Sequence, residues 1–282
     1  MIDTVWQVER MIKMRMQYDL SAVEILNILG YNKSVGKPFL ETIKQKYQIS
    51  LPKTYCDFME IAWHCPMLET CDVWVMNDFM KTFYEQVQEM IKDQTWYWEK
   101  NPETREGEFY KLSQIPVEQW AAHIPNLFLI GSDYAAGVVT FGIRMEDIAK
   151  DDPKMYWQTE GNDLSTWYAD KNLSDFLFEA VLHVVSGIDY GVPEDELEEN
   201  GFKVEEYFDA KQFDYTATKA VVARYGIDFE QLKKCEINQQ QVFCCYDTEK
   251  DIFYVGHLEE HFITFYAITK EDADNVFDTD EE

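Results

Sequence analysis

Basic side chains are scarce in this sequence: 25 Lys and Arg stand against 53 Asp and Glu over 282 residues, for a net charge of −28. A field of that sign repels nucleic-acid and membrane phosphates, which weighs against direct binding to either. Long apolar runs are also missing. No window of 18 or more apolar residues occurs, so no membrane-spanning helix is expected, and Asp3 and Glu9 interrupt the first twenty residues in a way unlike an export signal. Neither GxSxG, a phosphate-binding P-loop nor GxGxxG is present, which removes the usual supports for nucleophile-elbow hydrolysis and for nucleotide binding. The six cysteines (Cys56, Cys65, Cys71, Cys235, Cys244 and Cys245) include no CxxC pair and read as reduced thiols packed as small apolar groups, at home in the cytoplasm.

What is abundant is apolar and aromatic. With 46% hydrophobic residues the chain can bury a real core, and 8 Trp, 17 Tyr and 18 Phe exceed what helix packing alone requires. Residues 1–33 suggest two short helices, the second opened by Ser21 with Glu24 at capping-box spacing and stopped by Gly30. A helix over Lys37 to Tyr47 places Phe39, Ile43 and Tyr47 on one face. The run LPKTYCDFMEIA reads as a helix starting at Pro52, with Tyr55, Phe58, Met59 and Ala62 inward. A strand CDVWVM (71–76) follows, then a helix NDFMKTFYEQVQEMI capped by Asn77 or Asp78, then a polar loop around Trp96, Tyr97 and Trp98.

From Ala122 the period becomes that of strands. IPNLFLIGSD, GVVTFGI and MYWQTE are β-rich runs separated by turn residues, hence an antiparallel meander. Helical spacing returns over 173–185, where Ser174 is the expected N-cap. The predicted class is therefore α+β, a mostly antiparallel sheet flanked by helices. The expected domains are 1–187, an acidic linker over 188–209, a small accessory α+β module over 210–270 with one helix and three strands, and a solvated acidic tail over 271–282. Residues 190–282 hold sixteen of the 28 excess negative charges.

Three sets of residues invite a functional reading. Glu194, Asp195, Glu196, Glu198, Glu199, Glu205 and Glu206 form a carboxylate cluster able to receive a lysine- or arginine-rich surface; the alternative is a solvated linker. Trp74, Trp120, Tyr134 and Trp157 are candidate aromatic anchors for a partner, the alternative being ordinary burial in a sheet core. His257, Glu260 and His261 satisfy H-x-x-E-H, a zinc-hydrolase pattern. That chemistry needs both imidazoles on one helical face, whereas this motif follows Gly256 between two β-rich runs, so a polar hairpin connection is the expectation. His64 with Cys65 and Cys71 lacks a fourth ligand, and His183 falls inside the 173–185 helix. No metal, cofactor or catalytic residue is expected.

The order of LPKTYCDFM, VWVM, LFLIGSDYAAGVVTFGI, DDPKMYWQTE and LSDFLFEAVLHVV, from Lys37 to Val185, resembles the SUKH superfamily, whose founding members include a yeast cell-wall-synthesis regulator. The family's glycine-rich strand entry corresponds to Ile130, Gly131, Asp133 and Gly137, with Ala135 and Ala136 where glycine is common. The resemblance does not cover 190–282. It implies a non-catalytic α+β domain with a face for protein partners, in bacterial members an immunity protein that neutralises a cognate toxin, often a nuclease. A regulatory scaffold of the same fold is the main alternative reading and a zinc-dependent hydrolase the lesser one. The acidity suits capture of a basic toxin surface.

Overall fold

The computed structural model describes residues 15–69, 80–133, 139–159, 161, 163–188, 191–209, 215–237, 239–258, 263–273 and 276–277. The predicted strand 71–76, its neighbours Asn77 and Asp78, most of the first predicted helix, and Gly137 with Ala135 and Ala136 lie outside the described residues.

In chain order the elements are β1 (Met16–Gln17), α1 (Ala22–Ile28), α2 (Lys37–Tyr47), α3 (Lys53–Ala62), α4 (Pro66–Glu69), α5 (Phe83–Lys100), α6 (Gly107–Ser113), β2 (Leu127–Asp133), β3 (Val139–Arg144), β4 (Lys154–Thr159), β5 (Tyr168–Asn172), α7 (Leu173–Val185), α8 (Glu194–Glu199), β6 (Phe202–Asp209), α9 (Tyr215–Ala223), β7 (Lys233–Ile237), β8 (Gln240–Asp247), β9 (Ile252–Leu258) and β10 (Ile263–Lys270). Short 3-10 turns punctuate the chain at Pro102–Thr104, Val117–Ala122 and Met145–Asp147. The fold is α+β, with two antiparallel sheets.

The chain forms two compact units, Met1–Ser34 with His64–Thr70 and Leu177–Glu282 in one, Val35–Trp63 with Cys71–Phe176 in the other. The second unit carries the predicted meander as a four-stranded sheet ordered β2-β3-β4-β5. One face of it packs Leu127 and Leu129 with Phe83, Val87, Leu112, Trp120, Ile124 and Leu164. α3 buries Tyr55, Phe58, Met59 and Ala62, the four residues expected to face inward. α2 is turned slightly from its expected face: Leu40 and Ile43 are buried while Phe39 and Tyr47 are only partly so. Phe39 stacks on Trp63 at 3.6 Å between ring centroids, and Tyr47 meets Phe128 edge-on and donates its hydroxyl to the Met80 carbonyl.

Two expected helix starts are corrected. α5 begins after Thr82, whose hydroxyl accepts the Glu85 N–H at 3.2 Å while Glu85 receives the Thr82 N–H at 2.9 Å, and it continues through Lys100. The predicted polar loop at Trp96, Tyr97 and Trp98 is therefore helical; Trp98 is buried against Tyr110, and this contact holds the extra turns. Ser174 lies inside the first turn of α7 instead of capping it. The capping carboxylate is Asp152, from the turn before β4, which accepts the Ser174 N–H at 2.8 Å and its hydroxyl at 2.9 Å. A cap from a segment distant in sequence is invisible to a local pattern.

The first unit holds a six-stranded sheet with the order β1-β8-β9-β10-β6, and β7 pairs β8 as well. α1 opens as predicted, Ser21 and Glu24 completing the capping box, and Gly30 follows it with φ +85°. One sheet face packs Phe243, Cys245, Ile252, Tyr254, Ile263, Phe265 and Ala267 under Val221, Val222, Tyr225, Ile227 and Phe229. Residues of the opposite face are buried too, among them Val242, Cys244, Phe253, Val255 and Ile268. Strands covered on both sides lose the polar half of their alternation, hence the unbroken apolar text of β8, β9 and β10.

The predicted linker and tail are both corrected here. Glu194 to Asp209 form α8 and β6, because Leu197 is fully buried and β6 pairs with β10 along all eight of its residues. Val276 and Phe277 pack against the sheet core instead of ranging through solvent, Phe277 lying 5.1 Å from Tyr225 between ring centroids. Residues 278–282 are outside the described set.

Candidate functional site

The acidic segment is built on apolar anchors. Leu197 plugs α8 into the first unit, the Tyr31 hydroxyl donates to the Glu196 carbonyl at 3.3 Å, and the Asn200 side-chain amide donates to the Leu29 carbonyl at 3.5 Å. Burial pushes the Tyr31 phenol well above its ordinary range, so it stays a donor at any physiological pH. Held this way, α8 leaves Glu194, Asp195, Glu198 and Glu199 exposed and Glu196 half-buried. Glu194, Asp195 and Glu196 favour the positive helix start, but Glu198 and Glu199 lie at the negative end with no basic residue in the last turn. Helix stability does not account for those last two carboxylates. A cation arriving from another molecule would meet both their charge and that of the helix end.

Along β6 the pleat sorts the remaining carboxylates. Glu205 turns toward the face that carries Tyr207, where it pairs with Lys203 at 3.0 Å and accepts the Val276 N–H at 2.6 Å, so it serves the fold. Glu206 turns the other way and is exposed, two residues before Phe208 at 52% exposure. The structure thus keeps Glu194, Asp195, Glu198, Glu199 and Glu206 for solvent or a partner and uses Glu205 internally.

The aromatic candidates separate just as sharply. Trp120 is 2% exposed, and its indole N–H donates to the Leu112 and Ile115 carbonyls, at 3.3 and 3.0 Å. That is a core residue with its polar atom satisfied. Trp157 is half-buried on β4, paired with Tyr168 of β5 at 4.8 Å between centroids, and Tyr168 is 46% exposed. Trp74 and Tyr134 lie outside the described residues.

Sequence reading missed Tyr168 and Phe208, which owe their exposure to pairing and sheet position. It also missed Met90 and Tyr97, a helical i, i+7 pair on α5, exposed at 42% and 49% beside Trp96 at 60%. Extending the helical period through Lys100 would have found that pair.

His257 lies on β9, between Val242 and Thr264 in the sheet register, so the H-x-x-E-H pattern begins on a strand; Glu259, Glu260 and His261 are outside the described residues. His64 is exposed at φ 55° while Cys65 is buried, and Cys71 is not described. Among the described residues no group of three or more His, Cys, Asp or Glu is arranged to hold a metal, and no helix is long and apolar enough to cross a membrane. Open clefts are found among the described residues of the second unit. One, of about 460 Å³, is lined by His123, Asn126, Arg144, Glu146 and Ser165 among others, and another, of about 420 Å³, lies between α5 and α6 around Trp98, Arg105 and Tyr110. No family model, curated protein or solved structure matches the chain.

Proposed function

We propose that the chain is a non-catalytic, cytoplasmic protein-binding domain of SUKH type that acts as an immunity protein, neutralising a cognate bacterial toxin by tight stoichiometric binding. The observation that carries this reading is the presentation of α8 and β6: buried Leu197 and the β10 pairing fix the segment, while Glu194, Asp195, Glu198, Glu199 and Glu206 stay exposed. Ordered carboxylates lose less side-chain and backbone freedom on binding than a floppy acidic linker would, and in a chain of net charge −28 they steer a cationic surface toward one place. A nuclease toxin, cationic because its substrate is a polyanion, fits such a surface, and the partner is expected to be a protein and neither nucleic acid nor membrane.

Co-expression with a panel of cationic bacterial toxins tests this. Growth rescue from one toxin is expected, and substituting Lys for Glu196, Glu198 and Glu199 together should slow association at least tenfold at low salt and abolish rescue. Rescue that persists in the triple variant would move the site elsewhere. Absence of rescue across the panel, with cellular proteins co-purifying instead, would favour the regulatory scaffold.

A further inference from the structure

The cleft of about 420 Å³ between α5 and α6 is lined by two opposite charges that the fold does not pair with each other. Ile91, Thr95, Trp98 and Glu99 fall on one side of α5 by the helical period and make one wall. Tyr110 and Ser113 of α6, with the Gln114 that follows, make the other, and Arg105 enters from the connection between the helices. Buried Trp98 and half-buried Tyr110 meet edge-on at 5.3 Å between ring centroids, so the cleft has an aromatic surface. Its neutral polar groups are engaged within the helices. The Thr95 hydroxyl donates to the Ile91 carbonyl and the Ser113 hydroxyl to the Tyr110 carbonyl, both at 2.7 Å, while the Gln114 amide donates to Ser113 Oγ at 2.9 Å.

The charged groups are engaged differently. Arg105 donates Nε to the Trp98 carbonyl at 3.1 Å, at the negative end of α5, and this bond orients the guanidinium. Its terminal nitrogens make no hydrogen bond or ion pair among the described residues. Glu99 follows Trp98 directly, yet among the described residues no ion pair joins it to Arg105 or to any other cation. With 53 acidic residues to 25 basic ones, an arginine without a carboxylate partner is unexpected. Arg144, in the cleft of about 460 Å³, shows the commoner outcome: it reaches Glu146 at 3.5 Å and lies over the Tyr156 ring. A guanidinium fork receives a carboxylate through paired N–H donors. A ligand that carried a carboxylate alone would be repelled by Glu99 and by the chain's charge of −28, whereas an ammonium beside that carboxylate answers Glu99. The aromatic surface suits an apolar body, and the cleft falls within the roughly 300–1,000 Å³ typical of small-molecule sites.

We propose that the α5–α6 cleft binds a free α-amino acid with an apolar or aromatic side chain: the carboxylate sits on the Arg105 fork, the ammonium on Glu99, and the side chain against Trp98 and Tyr110. This site is independent of the protein-binding reading, whose acidic segment belongs to the other unit.

The test titrates the full chain with L-phenylalanine, L-leucine and L-methionine, each beside its decarboxylated amine and its deaminated acid. At least one amino acid should saturate the protein at millimolar concentration or below and bind at least tenfold more tightly than either of its analogues. Its binding should shift the indole N–H resonance of Trp98, identified by the loss of that signal in Trp98→Phe. Glu99→Gln should weaken the amino acid at least tenfold without weakening the deaminated acid. Arg105→Lys keeps the charge but loses the fork, and should weaken both. The side chains at 99 and 105 are exposed, so both variants should keep the wild-type melting temperature, and the wild-type titration decides the matter by itself if one does not. No saturation by any of the three amino acids overturns the site. So does an analogue that binds as well as its parent, binding that leaves the Trp98 resonance unmoved, or undiminished binding in either folded variant.

Discussion

Asp247 shows how one buried carboxylate can organise a unit. Its side chain is fully buried at the end of β8, where it receives the Arg15 Nε at 3.0 Å and the N–H groups of Glu249 and Lys250, both at 3.1 Å. Burial alone would push this carboxyl up, but the Arg15 hydrogen bond and the two N–H donors together hold it below the usual carboxylate range. A depressed native value means that the unfolded chain binds more protons, so the stabilisation is complete above about pH 5 and drains away as pH falls through the native value. Asp247→Ala should cost about 2–3 kcal/mol in urea unfolding at pH 7, and the gap from wild type should shrink as acid protonates the carboxyl. A gap that stays constant down to pH 3 would show that the charge is not what matters. The two tryptophans make a second comparison: Trp120→Ala should cost about 3–5 kcal/mol, through the cavity and the two abandoned carbonyls, whereas half-buried Trp157→Ala should cost far less. Thermal unfolding of the two variants measures the difference.

At the scale of the element, local signals succeeded where the deciding contacts are local. The Ser21 to Glu24 box and the inward face of α3 need only neighbours within a turn, and both stand as expected. Thr82 and Glu85 form an equally local box, yet Asn77 and Asp78 drew the predicted start upstream, since any of these residue types caps a helix. Thr82→Ala should destabilise by about 1 kcal/mol, read as a lower urea midpoint with an unchanged slope. For β9 the constraint comes from across the sheet. A Cβ at Gly256 would sit 2.5 Å from the Phe265 Cβ and 2.6 Å from the Thr264 carbonyl oxygen, so Gly256→Ala should cost about 1–3 kcal/mol through overpacking. An unchanged melting temperature would refute that close approach.

For the whole molecule, the compact units are assembled from segments far apart in the chain, Met1–Ser34 and His64–Thr70 joining Leu177–Glu282. Domain boundaries sought in composition, at the glycine- and acid-rich stretch after Gly187, therefore find a charged surface element instead of a hinge. The same scale governs solution behaviour. With a charge of −28, association with any basic partner should weaken steeply between 50 and 300 mM salt, mostly through the association rate. Stopped-flow measurements across that range check it, and a flat rate would show that the acidity only maintains solubility.

The sequence by itself determined the class of fold, the antiparallel meander of β2 to β4, the helices α1 to α3 and the overall acidity, because periodicity, capping and net charge are properties of neighbouring residues or of simple sums. Only the tertiary structure decided that Glu205 serves the fold while Glu206 faces out, that Trp120 is core while Trp157 reaches the surface, and that Asp152 caps α7. Each of those outcomes depends on which distant strand or loop arrives beside the residue, and burial, once set by that arrival, separates side chains that the sequence alone presents as equals.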